Sequence, residues 1–386
     1  MEQTAVEKKF GKYVMASMIT MFLQSAYSMI DGLFVSNLIG DTALSAVNVA
    51  WPIIAVVTAI GTGVGCGGAV MMSTKQGEGK NEESNIVRAN VILALLASSI
   101  VVTILFLILL TPLLKLMGAE GELLRLSQIY GRVMLTGGVL QILSCGLTPL
   151  LRNDNRAVSA MMIMVGGLFA NLGLDFVFMY VFHMGIGGAA GASLCAQLFT
   201  TVCCLMILCT KKTDPIRLSQ FMIRKEYWKK IFKTAVSPFG ISLTPSLLIL
   251  YHNVACLKFG GDLAVNAYAL ISSTVGSYRV LLIGVAEGIQ PLASYAYGAH
   301  DFHAIRKIRN KAVITAMSVS FFLFIFTIAT ARFYPAIYGY EGEAAELGYH
   351  AVKVTAAQLI FTGLVRVTNS FSVSYTHLTL PTTPYV

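Results

Sequence analysis

The sequence predicts an all-α polytopic membrane protein made of two parallel repeats of helices. Three observations carry that prediction. Of the 386 residues, 56% are hydrophobic and only 12% are charged, about half the charged share of a soluble globular chain. So few charges cannot cover a water-facing surface, and most of the outside must face lipid. Ten apolar runs are each long enough to cross ~30 Å of hydrocarbon as a helix. Finally, one constant spacing of 221 positions relates motifs in the two halves of the chain. The same composition excludes disordered, collagen-like, coiled-coil and disulfide-scaffold classes.

Taken in order, the runs are 13–38, 46–72, 86–110, 126–148, 158–182, 187–210, 232–257, 263–295, 311–332 and 351–372. Turn chemistry separates them: Gly40-Asp41, Gly77 to Gly79, Gly118 to Gly121, Asn153 to Asn155, Gly185 to Gly188, and Gly260 to Asp262. Helix is the spanning form that fits, because backbone in lipid must satisfy its own hydrogen bonds and no run alternates with a strand's period. Lys8, Lys9 and Lys12 precede the first run, yet no small-residue cleavage site follows, so the run is read as a retained helix. Gly61, Gly63, Gly65, Gly67 and Gly68 point to close helix packing in the second run. Pro238, Pro245 and Pro291 are expected to kink their helices. All seven cysteines lie inside apolar runs and read as small core residues rather than a disulfide or metal framework.

The net charge of +9 is distributed as a topology signal. Twenty Lys and Arg fall on one side of the runs, eight of them between Lys211 and Lys233, against five on the other: Lys115, Arg125, Lys258, Arg332 and Lys353. The positive-inside rule places the N-terminus and the 211–231 loop in the cytoplasm of a multi-pass plasma-membrane protein. Residues 224–230 read as an interfacial helix. No basic face interleaved with aromatics is present, so no nucleic-acid partner is expected. The expected surroundings are the lipid bilayer, with the chain a monomer.

The repeat is explicit. Gly40-Asp41-x-Ala43-x-x-Ala46 returns as Gly261-Asp262-x-Ala264-x-x-Ala267, and the same offset pairs Gly63 with Gly284, Ser73 with Ser294, Gly77 with Gly298 and Arg88 with Arg309. Six helices separate equivalents, so the units run in the same membrane direction, which implies two lobes about a central cavity. The expected lobes are 1–221 and 222–372, six helices each in a full protein and about ten in all here. Two full units would need 442 residues, and the counterpart of the fifth helix would begin near 379, where the chain is polar and carries Pro381 and Pro384. Residues 373–386 are therefore read as a non-native tail of adapter read-through type, with little activity expected of the 386-residue form.

Several segments together resemble the multidrug and toxic compound extrusion family of cation-coupled antiporters. They are Tyr27 to Val35 (YSMIDGLFV), Leu151 to Asp154 leading to Ala160-Met161, Asn171 to Phe178 (NLGLDFVF), Met184 to Ser193 (MGIGGAAGAS), and Gly284 to Pro291 (GVAEGIQP) with Tyr295 to Ala299. The resemblance spans roughly 10–371, and Glu287 places it with a bacterial subgroup typified by a staphylococcal multidrug exporter. It implies two six-helix bundles and alternating-access exchange of organic cations or amphipathic drugs for H⁺ or Na⁺, with no cofactor beyond the coupling ion.

Of the 19 acids, Asp31, Asp175 and Glu287 lie inside apolar runs. A carboxylate at the bilayer centre costs ~2.5–3.5 kcal/mol on insertion scales, so such a group faces a cavity, a partner or a proton. Asn171 stands one helical turn before Asp175, on the same face. The resemblance carries the coupling-cation role to Asp31, Asn171, Asp175 and Ser193, with Na⁺ held at Asp31 and Asp175 if sodium is the ion. The alternative for Asn171 and Asp175 is a cap on an internal hydrogen-bond network. His252 occupies the position equivalent to Asp31 and reads either as a titrating group or as packing. Glu287 aligns with Cys66 and belongs to the second repeat alone, suited to a cationic substrate or to pairing with Arg279. Glu287, His252 and Arg279 form the candidate substrate set.

Two other functions remain. A lipid-linked oligosaccharide flippase shares the architecture, but its cargo calls for several buried cations, and only Arg132, Arg279 and Arg366 lie in helices. A membrane transferase calls for Asp-rich metal motifs or a His–acid nucleophile pair. Neither occurs, and His300-Asp301-Phe302-His303 is a weak metal candidate in a turn.

Overall fold

In the computed structural model the described residues are 3–210, 220–337 and 342–375, and among them the chain is helix and turn with no strand. The helices are α1 (Gln3–Ile39), α2 (Asp41–Gly77), α3 (Asn81–Leu116), α4 (Gly121–Thr136), α5 (Gly138–Leu151), α6 (Ala157–Asp175), α7 (Gly185–Cys209), α8 (Lys225–Gly298), α9 (Phe302–Thr330), α10 (Phe333–Ile337), α11 (Gly342–Ala356) and α12 (Gln358–Tyr375). Every apolar run is helical. Among the described residues six stretches are long and apolar enough to cross a membrane, or seven when Ala345–Ala356 and Gln358–Ser374, bent by 40° from each other, are taken as one span.

Three boundaries differ from the expected ones. The 126–148 run is divided between α4 and α5 at Gly137. Residues 224–230 are not a separate interfacial helix, because α8 begins at Lys225 and continues through them. Residues 373–375, assigned to the foreign tail, close α12, with Val373 and Ser374 buried. Apolar burial of Val373 extends the helix past the expected limit, and 376–386 lie outside the described residues. Pro238, Pro245 and Pro291 sit within α8, whose one residue with non-helical φ and ψ is Gly261.

The repeat is visible in backbone conformation. Gly40 (φ 115°) and Gly261 (φ 62°) stand at equivalent positions in conformations that side chains disfavour, the first just ahead of α2 and the second at the break within α8. Glycine contacts repeat as well. A Cβ added at Gly63 would lie 2.9 Å from Cβ of Phe239, and one at Gly284 would lie 2.7 Å from Cα of Met18. Gly67 meets Ala235 at 2.9 Å, and Gly288 meets Val14 at 2.7 Å. Each contact maps onto its counterpart by the 221 offset. Gly61 approaches Ile142 of α5 in the same manner, at 2.7 Å, and Gly65 meets Gly146. The glycines of α2 thus permit backbone contact on two sides, the expected reason for their presence.

The chain packs as two units. The carboxyl-terminal one comprises Met1–Ser25, Thr244–Ala293 and Asp301–Ser374; the amino-terminal one comprises Ala26–Leu243 and Ser294–His300. The 221/222 division follows the repeat, whereas these units follow contact. They differ because the opening stretch of each repeat's first helix packs on the other repeat's second helix, through Gly284 and Gly288 for residues 13–18 and through Gly63 and Gly67 for residues 234–239. In the amino-terminal unit α2 is central, against α3, α4 and α5, while α7 packs on α5 and α6.

A buried ion pair ties this unit together. Asn155 (φ 62°) and Asp154 (ψ 28°) break the helix between α5 and α6. The turn carries the Asp154 carboxylate to the Arg88 guanidinium at 2.8 Å, both side chains fully buried. Gln76 donates to the same oxygen at 2.8 Å. α2, α3 and the α5–α6 link are thus joined at one point. In the second repeat Arg309 is exposed and lies beside Asn310, so among the described residues Arg309 does not repeat the device.

Leu at Gly63 is expected to lower stability by about 1–3 kcal/mol, since the backbone of α8 cannot yield as a flexible side chain would. Leu at Gly173, where an added Cβ meets nothing within 4 Å, is the control. Equal thermal midpoints of the two variants in detergent would refute the close-packing account.

Candidate coupling and substrate sites

Asp175 is the last residue of α6, where the helix widens into a π-helical stretch, Phe176–Val181. Such widenings recur at functional sites because they free backbone groups and turn side chains out of register. Asp175 is fully buried and Asn171 nearly so. The expected one-turn pairing is present, with Asn171 Nδ2 donating to Asp175 Oδ2 at 3.0 Å.

The other half of the site comes from α1. Asp31, half-buried, brings its carboxyl group into hydrogen-bonding contact with that of Asp175. Two carboxyl groups can share a hydrogen bond only when one of them carries a proton. The buried Tyr130 of α4 stands within electrostatic reach of both acids. Sequence reasoning missed Tyr130, whose run offered no charged or spaced partner to mark it. Ser193 is half-buried on α7, and no hydrogen bond among the described residues joins it to the acids. The arrangement therefore brings together Asp31, Asn171, Asp175 and Tyr130. It offers only oxygen acceptors, one amide and one phenol, chemistry suited to a proton or a hard monovalent cation.

In the carboxyl-terminal unit the half-buried Glu287 of α8 does not stand with Arg279 alone. Arg366 of α12 lies within electrostatic reach of both Arg279 and Glu287. Two guanidinium groups thus accompany one carboxylate at the level of the membrane-crossing helices. The signal for Arg366 was present, since intramembrane arginines are rare, but its neighbours were not legible. His252 is exposed, and its ring lies parallel to that of Tyr268 at 5.1 Å while Nδ1 approaches the Leu248 carbonyl at 2.7 Å. No three His, Cys, Asp or Glu converge among the described residues. Asp301 caps α9, accepting from the Ala304 amide at 2.9 Å.

Comparison with known proteins places this geometry in context. The MatE family profile matches residues 16–177 and again 241–383, once in each repeat. The second match runs into the stretch expected to be foreign. The multidrug export protein MepA of Staphylococcus saprophyticus is 22% identical over 365 residues, covering 94% of this chain and 80% of that protein. MepA of Staphylococcus aureus is 24% identical over 370 residues, with the same coverage. Among solved structures, a MATE protein in complex with MaL6 superposes with TM-score 0.88 at 24% identity, covering 96% of this chain and 83% of that one. A transporter from Pyrococcus furiosus, described as having a binding pocket of reverse polarity, superposes with TM-score 0.86 at 23% identity, covering 96% and 85%. With two profile matches over most of its length, one on each half of an all-helical repeat, the chain belongs to the MatE family of membrane transporters.

Proposed function

We propose that the chain is a secondary active exporter of cationic or amphipathic small molecules, driven by inward H⁺ or Na⁺. The observation that carries this reading is the carboxyl–carboxyl contact of Asp31 and Asp175, braced by Asn171. In one state the two acids hold a proton between them. Loss of that proton leaves two negative groups close together, a state that recruits a cation or drives the acids apart. A conformational equilibrium is biased only by differential affinity for its two states. The site supplies that difference, because α1 and α6 bear one acid each, so any relative movement of the two helices changes the contact. One unit of pH gradient is worth about 1.4 kcal/mol per proton, enough for roughly tenfold accumulation of substrate. The staphylococcal relatives, named for multidrug export, support a drug-like cargo.

A second reading has one observation in its favour. Arg279 and Arg366 outnumber Glu287 in their cluster, which suits cargo bearing an anionic group, such as a lipid-linked oligosaccharide. The deciding experiment uses the chain extended to the length of its staphylococcal relatives, reconstituted in vesicles with an internal fluorescent organic cation, under an imposed H⁺ or Na⁺ gradient. Efflux accelerated by one of the gradients is expected, and collapse of that gradient should stop it. Gradient-independent movement of a pyrophosphate-linked lipid, without dye efflux, would replace the exporter with the flippase.

A further inference from the structure

The carboxyl-terminal unit holds a polar cluster that the transport site does not use. α9 carries Arg306, Lys307, Arg309 and Lys311 in its first three turns, and its 29 residues end at Thr330, just before Arg332. At 1.5 Å per residue this is about 43 Å, a full membrane crossing. Arg332 therefore lies at the membrane edge opposite those basic residues. There its guanidinium carbon stands 5.6 Å from the Tyr349 ring centroid. Lys353 Nζ, one helical turn beyond Tyr349 on α11, is 5.0 Å from the same centroid and donates to the phenol oxygen at 3.2 Å. Arg332 also hydrogen-bonds that phenol.

Two cations thus converge on one neutral group. Among the described residues neither forms an ion pair. Glu346 stands on the rim, which leaves the cluster with a net positive charge. The ring that gathers them is held from below, since Tyr349 packs on the small core of Leu270, Ala331, Tyr334 and Val352. Tyr334 is tied in turn by its hydroxyl to Tyr278 at 2.8 Å. Arg332, Pro335, Glu346, Tyr349 and His350 line a cavity of about 480 Å³; Lys353 is outside that lining and connects to it through the Tyr349 hydroxyl. The short helix α10 borders it, burying Tyr334 and Pro335 while Phe333 and Ile337 are 65% and 72% exposed.

We infer that this cavity binds the phosphodiester headgroup of an anionic membrane lipid, with Arg332 and Lys353 on the phosphate and the acyl chains along Phe333 and Ile337. A cation pair suits a phosphate, and two exposed apolar side chains at the membrane edge beside it suit lipid rather than a water-borne anion. A free phosphate would leave Phe333 and Ile337 without a role.

Native mass spectrometry of the chain released from vesicles of mixed phosphatidylglycerol and phosphatidylcholine tests the assignment. Each cation near an anionic surface contributes about a fivefold preference, so retention of phosphatidylglycerol over phosphatidylcholine by roughly 25-fold is expected. Arg332→Gln and Lys353→Gln should each lower that ratio by about fivefold. Should one variant fail to fold, the other and the parent chain still decide. Equal retention of the two lipids by the parent chain overturns the inference, as does an unchanged ratio in a folded variant. Displacement of the lipid by excess inorganic phosphate would assign the site to a free anion instead.

Discussion

Asp175→Asn is expected to abolish gradient-driven export while the protein folds and inserts as before. The amide is isosteric with the carboxyl group and keeps both hydrogen bonds: its oxygen accepts from Asn171, and its nitrogen donates to Asp31. Only exchange of the proton, or replacement of it by a cation, is lost. The expected loss is the whole coupling free energy, on the order of 1–3 kcal/mol, or 5–150-fold in steady-state substrate accumulation. Asp31→Asn should have the same sign of effect, since the contact needs both acids. The two substitutions together should cost little more than either alone, because groups that act as one unit are non-additive. Accumulation in reconstituted vesicles, alongside detergent-solubilised monodispersity, measures both. Full gradient-coupled export by Asp175→Asn would remove the carboxyl pair from the mechanism.

Asp154→Ala is expected to be the most destabilising single change outside that site. The substitution would leave the Arg88 guanidinium buried with its carboxylate gone and Gln76 without its acceptor. Breaking a buried pair from one side costs about 3–5 kcal/mol, since a charge remains without compensation. Replacing both members, as Arg88→Met with Asp154→Leu, should recover most of the loss, because well-packed apolar groups of similar volume often substitute neutrally for a buried pair. Thermal unfolding of the detergent-solubilised variants reads the difference. A single-variant cost below about 1 kcal/mol would mean that water or another group takes over from Asp154.

The two predictions draw on different depths of information. Asn171 and Asp175 were legible as a pair because four positions make one helical turn, and a helix's own geometry brings such residues together. The contact of Asp31 with Asp175 was not. It joins α1 to α6 across helices, and hydropathy does not encode which faces two apolar helices present to each other. Arg88 and Asp154 show the same limit: one was counted as a topology residue and the other as part of a turn, and nothing in their spacing declared that they meet. Arg366 was recognised as intramembrane but without neighbours. The limit at 373 was drawn from polarity and prolines further along, and burial of Val373 is a property of the folded helix that polarity does not encode.

By itself the sequence determined the class of the molecule, its ten helical runs, its repeat, and the short list of acids that lipid would not tolerate without a purpose. These follow from composition and period, which act along the chain. Tertiary structure decided which acid meets which, that two arginines attend Glu287, and that the opening stretch of each repeat's first helix packs on the other repeat's second helix. The physical reason is close packing. Where glycines such as Gly63 and Gly284 let backbones approach within contact, the partner is selected by the fit of two surfaces, a property of neither strand of sequence alone.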